Sequence, residues 1–421
     1  MKKKVVIRGP LKSLSGYGRH ARFILSALRK YNHLFDIHVL NINWGKTGYI
    51  LDDSEEQKYI DKKIEETMHY VNNGGQFDMS IQCTIPGEFE RIAVYNVGVT
   101  AGTESTKISP EWMQKCNQMV DKIITVSNHS SFSFKNTKYI GQTESGEKVE
   151  VKVNVPIEHV SFPVDNELCK FHQPEAPKEK LFDFDTDFNF LIVAQWSPRK
   201  NLEKTIKWWM DEYKDNENVG LIVKTSIANG SRVDREYTEQ RLKDVLSQYK
   251  DKKCKVYMLH GSLDKSALES LYEEESVKCL LSLGNEGFNL PAFECAYNDI
   301  PVVALNWSGH LDFLYKNDGD EQKCLFLPVD YDLGMVGDVQ PEAVWDTVIQ
   351  KDSYWAVPKE KSYKEQINEV YKNWQEHKSK AEELGFWIRE EFSSDKQCEK
   401  FVRALGFEDL EEKEEQILEF D

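Results

Sequence analysis

Cys279-Leu-Leu-Ser-Leu-Gly-Asn-Glu-Gly-Phe-Asn-Leu-Pro-Ala-Phe-Glu294 changes character at its middle. The apolar run closing at Leu283 is too short for a helix and is bounded by Gly284, so it reads as a buried strand. The loop that follows carries Glu286 and Gly287. Pro291, with its fixed φ and missing N–H, suits the first turn of a new helix. Strand, polar loop and helix in this order form half of a crossover unit.

The same order recurs on both sides. Downstream, Ile300-Pro-Val-Val-Ala-Leu305 reads as the next strand. Upstream stand Phe190-Leu-Ile-Val-Ala194, Val219-Gly-Leu-Ile-Val-Lys224 and Lys255-Val-Tyr-Met-Leu259, with an amphipathic helix from about Leu202 to Tyr213. Earlier still, Lys4-Val-Val-Ile-Arg8, Phe35-Asp-Ile-His-Val-Leu40, Ile92-Ala-Val-Tyr-Asn-Val97 and Lys122-Ile-Ile-Thr-Val126 repeat the pattern. Each series predicts a doubly wound parallel sheet with helices on both faces. Between them, Asp165 to Asp187 has prolines at 174 and 177, many charges and little periodicity, and reads as a linker. Gly141 to Lys148 reads as an excursion loop, and the chain is mostly helical from about Ser362. The expected division is an α/β domain at 1–165, a linker at 166–188, a second α/β domain at 189–385, and a helical segment with an acidic tail at 386–421.

A length of 421 residues suits two hydrophobic cores rather than one. The net charge is -17, of which Glu408 to Asp421, with eight acids against one lysine, contributes -7. The remaining -10 argues against nucleic acid as the main partner, because phosphate backbones are held by surplus Lys and Arg. No run of 18 apolar residues is present, so no transmembrane segment is expected. Val5-Val6-Ile7 is too short for a signal-peptide core. The eight cysteines form no Cys-x-x-Cys pair, which predicts buried free thiols in a reducing, cytoplasmic setting.

In open α/β sheets ligands bind beyond the carboxyl ends of the strands, with anions at helix N-termini. Glu286 then faces the crevice, the amides around Asn289 and Leu290 can meet a phosphate, and Glu294, a turn into the helix, can accept hydrogen bonds from a ribose diol. A surface acid and a helix-first-turn acid would produce the same pair of glutamates. Ser15-Gly16-Tyr17-Gly18-Arg19-His20 opens the first helix, and Gly16 and Gly18 there allow close approach of backbone to a phosphate or sugar.

Glu286 to Glu294 resembles the E-x7-E signature of retaining GT-B glycosyltransferases, the group that includes sucrose synthase and bacterial mannosyl- and glucosyltransferases. The similarity continues through Asp299-Ile-Pro-Val-Val-Ala304 and Ser308-Gly309-His310, and reaches back to Gly261-Ser-Leu-Asp-Lys-Ser-Ala-Leu-Glu-Ser-Leu-Tyr272 and Gln195-Trp-Ser-Pro-Arg-Lys-Asn201. The resemblance covers most of residues 190–315. It implies two facing Rossmann-like domains and transfer of a sugar from a nucleoside diphosphate-sugar, with retention of configuration. It also implies that Glu286 orients the donor sugar, that Lys200, helped by Arg199 or Lys224, holds the diphosphate, and that Glu294 binds ribose. Where that group often carries an additional arginine, this chain has Ala194-Gln195-Trp196.

On the acceptor side, layout points to Val99-Thr-Ala-Gly-Thr-Glu104 and Ser127-Asn128-His129, with Glu104 and His129 as candidate residues and ordinary capping as the competing reading. The ten histidines form no metal-ligand cluster with carboxylates, and the Asp-x-Asp steps at 183–187 and 330–332 read as solvated turns. No metal and no cofactor beyond the co-substrate is therefore expected, in keeping with the resemblance. The acceptor is expected to be a glycan, a lipid-linked sugar or a small molecule rather than nucleic acid. A sugar-nucleotide epimerase, a phosphorylase or a non-catalytic sugar-nucleotide-binding scaffold fits the same architecture.

Overall fold

The computed structural model describes residues 2–411 except 46, 51, 143–144, 172–180, 229 and 320. The linker prolines at 174 and 177 and most of the acidic tail lie outside the described residues.

The first sheet is built from β1 (Lys3–Gly9), β2 (Phe35–Asn41), β3 (Met79–Cys83), β4 (Tyr95–Thr100) and β5 (Lys122–Thr125). After a hairpin of β6 (Tyr139–Gln142) and β7 (Lys148–Val151), it is completed by β8 (Ile157–His159). The second sheet is built from β9 (Phe188–Gln195), β10 (Val219–Ser226), β11 (Lys255–His260), β12 (Val277–Ser282) and β13 (Val302–Leu305). It adds β16 (Leu327–Val329) after a hairpin of β14 (Tyr315–Asp318) and β15 (Glu321–Cys324). Both six-stranded sheets are parallel, in the orders β2-β1-β3-β4-β5-β8 and β11-β10-β9-β12-β13-β16. Their central strands are buried on both faces, as in Phe190-Leu-Ile of β9, because helices cover each side. In the second sheet the order reverses between β9 and β12, so the loops after these two strands open side by side.

Two departures from the sequence reading have local causes. The strand expected at Ile92 to Val97 begins instead at Tyr95, because the Ile92 and Ala93 amides donate to the Asn96 side chain, each at 3.1 Å, in a turn. Strand β3, which periodicity did not reveal, carries Ser80 and Gln82 fully buried in the sheet. Ser80 donates to the Asn96 side chain at 2.9 Å, and Gln82 accepts from the Glu90 amide at 2.9 Å, so their polarity is satisfied inside. Gly141 to Lys148, expected as a loop, contributes to both strands of the β6–β7 hairpin.

The two domains are joined by more than the linker. Phe162 and Val126 of the first share a core with Phe288 and Phe293 of the second, the Phe162 and Phe288 rings lying 5.0 Å apart. The hairpin of β17 (Tyr331–Met335) and β18 (Tyr354–Pro358) reaches across, its Tyr354 carbonyl accepting from the Thr106 amide at 2.9 Å. Residue 385 lies within the helix Trp374–Glu391, and the following helix Ser394–Ala404 returns to the first domain. There Phe401 packs edge-on to Phe23 of the helix Gly16–Lys30, and burying such a ring contributes about 1.5–3 kcal/mol. Among the described residues no helix is long and apolar enough to cross a membrane. All eight cysteines are free thiols, seven buried and Cys324 exposed.

Candidate functional site

The loop between β12 and the helix Leu290–Tyr297 is held from several directions. Asn285 exchanges two hydrogen bonds with the Ala356 backbone, both 3.0 Å, which pins the loop to β18. The Glu286 amide donates to the Ser308 hydroxyl at 3.1 Å, and its carbonyl accepts from the Gly309 amide at 3.0 Å. Asn289 caps the helix, its side chain accepting from the Ala292 amide at 3.3 Å. Ser308 and Asn289 hold left-handed backbone conformations, with φ of 94° and 82°, and Asn201 at 52° does the same in the loop after β9. Three strained non-glycine residues on loops meeting at one point mark a place where the surrounding structure enforces geometry. A Cβ on Gly309 would lie 1.8 Å from the Gly287 carbonyl oxygen, so only glycine fits there.

Arg199 and Lys200 close this point. They follow β9 in the short turn Pro198–Lys200, directly beside the loop after β12. Lys200 donates to Glu286 Oε1, and Arg199 Nη1 donates to Glu286 Oε2 at 3.1 Å and to the Asn285 carbonyl at 2.9 Å. Burial would raise the Glu286 carboxyl, but Lys200 and Arg199 outweigh it and hold Glu286 below the ordinary carboxylate range. Burial lowers the Lys200 pKa, with Arg199 adding to the effect and Glu286 opposing it. Glu104 reaches from the loop after β4, its Oε1 3.3 Å from Arg199 Nη2. Two carboxylates and two cations therefore balance to zero across the domain boundary.

Glu294 forms a second centre. Its Oε1 accepts from Arg19 Nη1, on the first helix of the other domain, and its Oε2 accepts from the Tyr272 hydroxyl at 2.7 Å. Lys224, at the end of β10, makes no ion pair among the described residues; burial lowers its pKa and the Glu294 charge opposes that. The expected cations thus divide, with Arg199 and Lys200 at Glu286 and Lys224 toward Glu294. Gly16 lies opposite Leu290, whose Cδ1 would be 3.6 Å from a Cβ placed there. Gly18 has an internal reason instead, since a Cβ would meet the Ser13 carbonyl oxygen at 2.0 Å.

His129 packs against Trp307, the rings edge-to-face at 5.1 Å. Burial, with a smaller contribution from His310, lowers its pKa to about 4, so it is neutral near pH 7. Among the described residues its Nε2 and the Trp307 Nε1 are buried without hydrogen-bond partners. Around them the domains are stitched together. The Ser127 hydroxyl donates to the Gly287 carbonyl at 2.6 Å, and the Asn128 amide donates to Asp312 at 2.7 Å. Among the described residues no three His, Cys, Asp or Glu side chains gather as a metal site.

Of the residues the sequence reading singled out, the structure joins Glu286, Arg199, Lys200 and Glu104 by ion pairs, whereas Glu294 pairs with Arg19 and Tyr272 in a separate cluster. Arg19, Tyr272 and Trp307 were not singled out. Arg19 and Tyr272 both lie in quoted segments, but a partner on another element leaves no periodic signal.

By sequence, the chain matches no protein-family model and no curated protein. By fold, it resembles Anabaena HepE in complex with UDP and glucose over 96% of this chain and 99% of that one, at 11% identity and a TM-score of 0.57. It resembles sucrose-phosphate synthase from Thermosynechococcus elongatus over 96% and 98%, at 10% identity and a TM-score of 0.61. A glycosyltransferase from Rickettsia africae matches over 96% and 97%, at 11% identity and a TM-score of 0.58. The chain therefore has the two-domain GT-B fold.

Proposed function

We propose that this protein is a glycosyltransferase that moves a sugar from a nucleoside diphosphate-sugar to an acceptor hydroxyl, with retention of configuration and without a metal. The observation that carries this reading is the Glu286–Arg199–Lys200 cluster, set where the strand order reverses and beside the capped N-terminus of the helix bearing Glu294. Solved structures of the same fold that contain UDP or UDP-glucose support a nucleotide-sugar as the donor.

In this reading the sugar lies at Glu286, the diphosphate at Arg199, Lys200 and the amides of Asn289 and Leu290, and the ribose at Glu294. The bond between the anomeric carbon and the diphosphate oxygen breaks, and the leaving group keeps the electron pair. The acceptor oxygen attaches on the same face, and its proton passes to the departing phosphate oxygen. Negative charge grows on the diphosphate as the bond breaks, so Arg199 and Lys200 stabilise the transition state more than the ground state. Glu104, neutral His129 and Trp307 line the acceptor side. The joined domains exclude water from the reacting centre.

A binding and turnover screen against UDP-, GDP-, ADP- and dTDP-sugars tests the reading. Tight binding of one donor and its slow hydrolysis, both dependent on Lys200, is expected. Conversion of the sugar nucleotide to an isomer without any acceptor would make the protein an epimerase, and binding without turnover would make it a scaffold.

A further inference from the structure

Arg19, from the first domain, enters the Glu294 centre. It sits in the first turn of the helix Gly16–Lys30, positioned by the Ser15 cap and by Gly18, whose missing Cβ lets the turn close on Ser13. Burial disfavours its charge, yet Glu294 and Asp165 outweigh that cost and raise the Arg19 pKa, so the guanidinium stays charged. Its Nη1 donates to Glu294, whereas its Nη2 is buried with no hydrogen-bond partner among the described residues, 3.8 Å from an Asp165 oxygen and close to the equally unpartnered Tyr297 hydroxyl. Tyr272 occupies one lone pair on the other Glu294 oxygen. Among the described residues each carboxylate oxygen therefore keeps an acceptor site with no hydrogen bond, and an Arg19 N–H donor with none stands beside them.

We propose that Arg19 and Glu294 together form the recognition pair for the ribose diol of the donor, Arg19 being both a ribose contact and the positioning residue for Glu294. A vicinal diol offers two hydroxyls that each donate and accept. The carboxylate takes their protons and Arg19 Nη2 supplies the complementary donor. Because Arg19 belongs to the first domain, ribose recognition is complete only with the two domains together, and nucleotide binding is thereby coupled to their closure. This inference rests on the donor reading above.

The test compares UDP and 2′-deoxy-UDP by titration calorimetry on the full chain, repeated with the base that the screen selects. The wild type is expected to prefer the ribonucleotide by roughly ten- to a hundred-fold, the range of a hydrogen bond to a charged group. Arg19→Ala should cut that ratio to within a few-fold of one, chiefly by weakening the ribonucleotide, and Arg19→Lys should restore only part of it. Arg19→Lys, which keeps the charge but not the second N–H fork, serves as the measured variant if Arg19→Ala does not fold. With a donor sugar, Arg19→Ala should raise KM more than it lowers kcat. Equal weakening of both nucleotides would make Arg19 merely structural, and tighter ribonucleotide binding would make it an occluding residue. Either result overturns the proposal. A wild type that binds no nucleoside diphosphate would instead sink the donor reading itself.

Discussion

Glu286→Gln offers the sharpest test of the charge arrangement at the cleft. In the structure Glu286 neutralises both cations assigned to the diphosphate, and Glu104 takes the remaining valence of Arg199. The glutamine keeps the shape and removes one negative charge from a balanced cluster. For a phosphate charge bound about 6 Å from that carboxylate, at an effective dielectric of about 20, the repulsion removed would be on the order of 3 kcal/mol. Free nucleoside diphosphate should therefore bind ten- to a hundred-fold tighter to Glu286→Gln, while turnover falls by at least about a hundred-fold because the sugar loses its orienting carboxylate. Breaking a buried pair also costs about 3–5 kcal/mol, so the variant should melt lower and recover when the diphosphate is added. Titration calorimetry beside steady-state rates, with circular dichroism to establish folding, gives all three readouts. A folded variant whose diphosphate affinity is unchanged or weaker would refute the reasoning, since the carboxylate would then not be competing with the ligand for Arg199 and Lys200.

Two further outcomes are expected. Activity should persist in excess chelator, because in the proposed site the cations at the diphosphate are side chains; complete loss that returns with added metal would refute the assignment of Arg199 and Lys200. His20 is buried between Phe23 and Phe162, and burial lowers its pKa to about 3. The unfolded chain takes up this proton near pH 6.5 and the folded chain does not, so stability falls as pH drops from about 6.5 toward 3. His20→Gln should lose about 2–3 kcal/mol less than the wild type between pH 7 and pH 4.5 in urea unfolding; equal losses would show that His20 is not buried neutral.

Much of the architecture was legible because it rests on local patterns. Short apolar runs alternating with amphipathic stretches mark parallel strands and their helices, and Pro291 after a strand marks the first turn of the next helix. That reasoning failed at β3, where buried Ser80 and Gln82 are satisfied by Asn96 and Glu90, and at Ile92, where a side-chain turn takes the amides a strand would have used. Hydropathy does not register polar groups whose partners come from elsewhere in the fold.

From the sequence alone came the two doubly wound sheets, the placing of Glu286 and Glu294 on a strand-end loop and the helix after it, and the neighbouring Arg199 and Lys200. These follow from spacing over a few residues. The tertiary structure alone decided which charges meet: Arg19 with Glu294, 275 positions apart, Glu104 with Arg199, and both cations on Glu286 rather than facing open solvent. It also decided that β18 and the last helix cross back to the first domain. Such pairings depend on how two separately folded sheets are oriented, and the Coulomb energy of a pair appears only when the chain has brought its partners within a few ångströms.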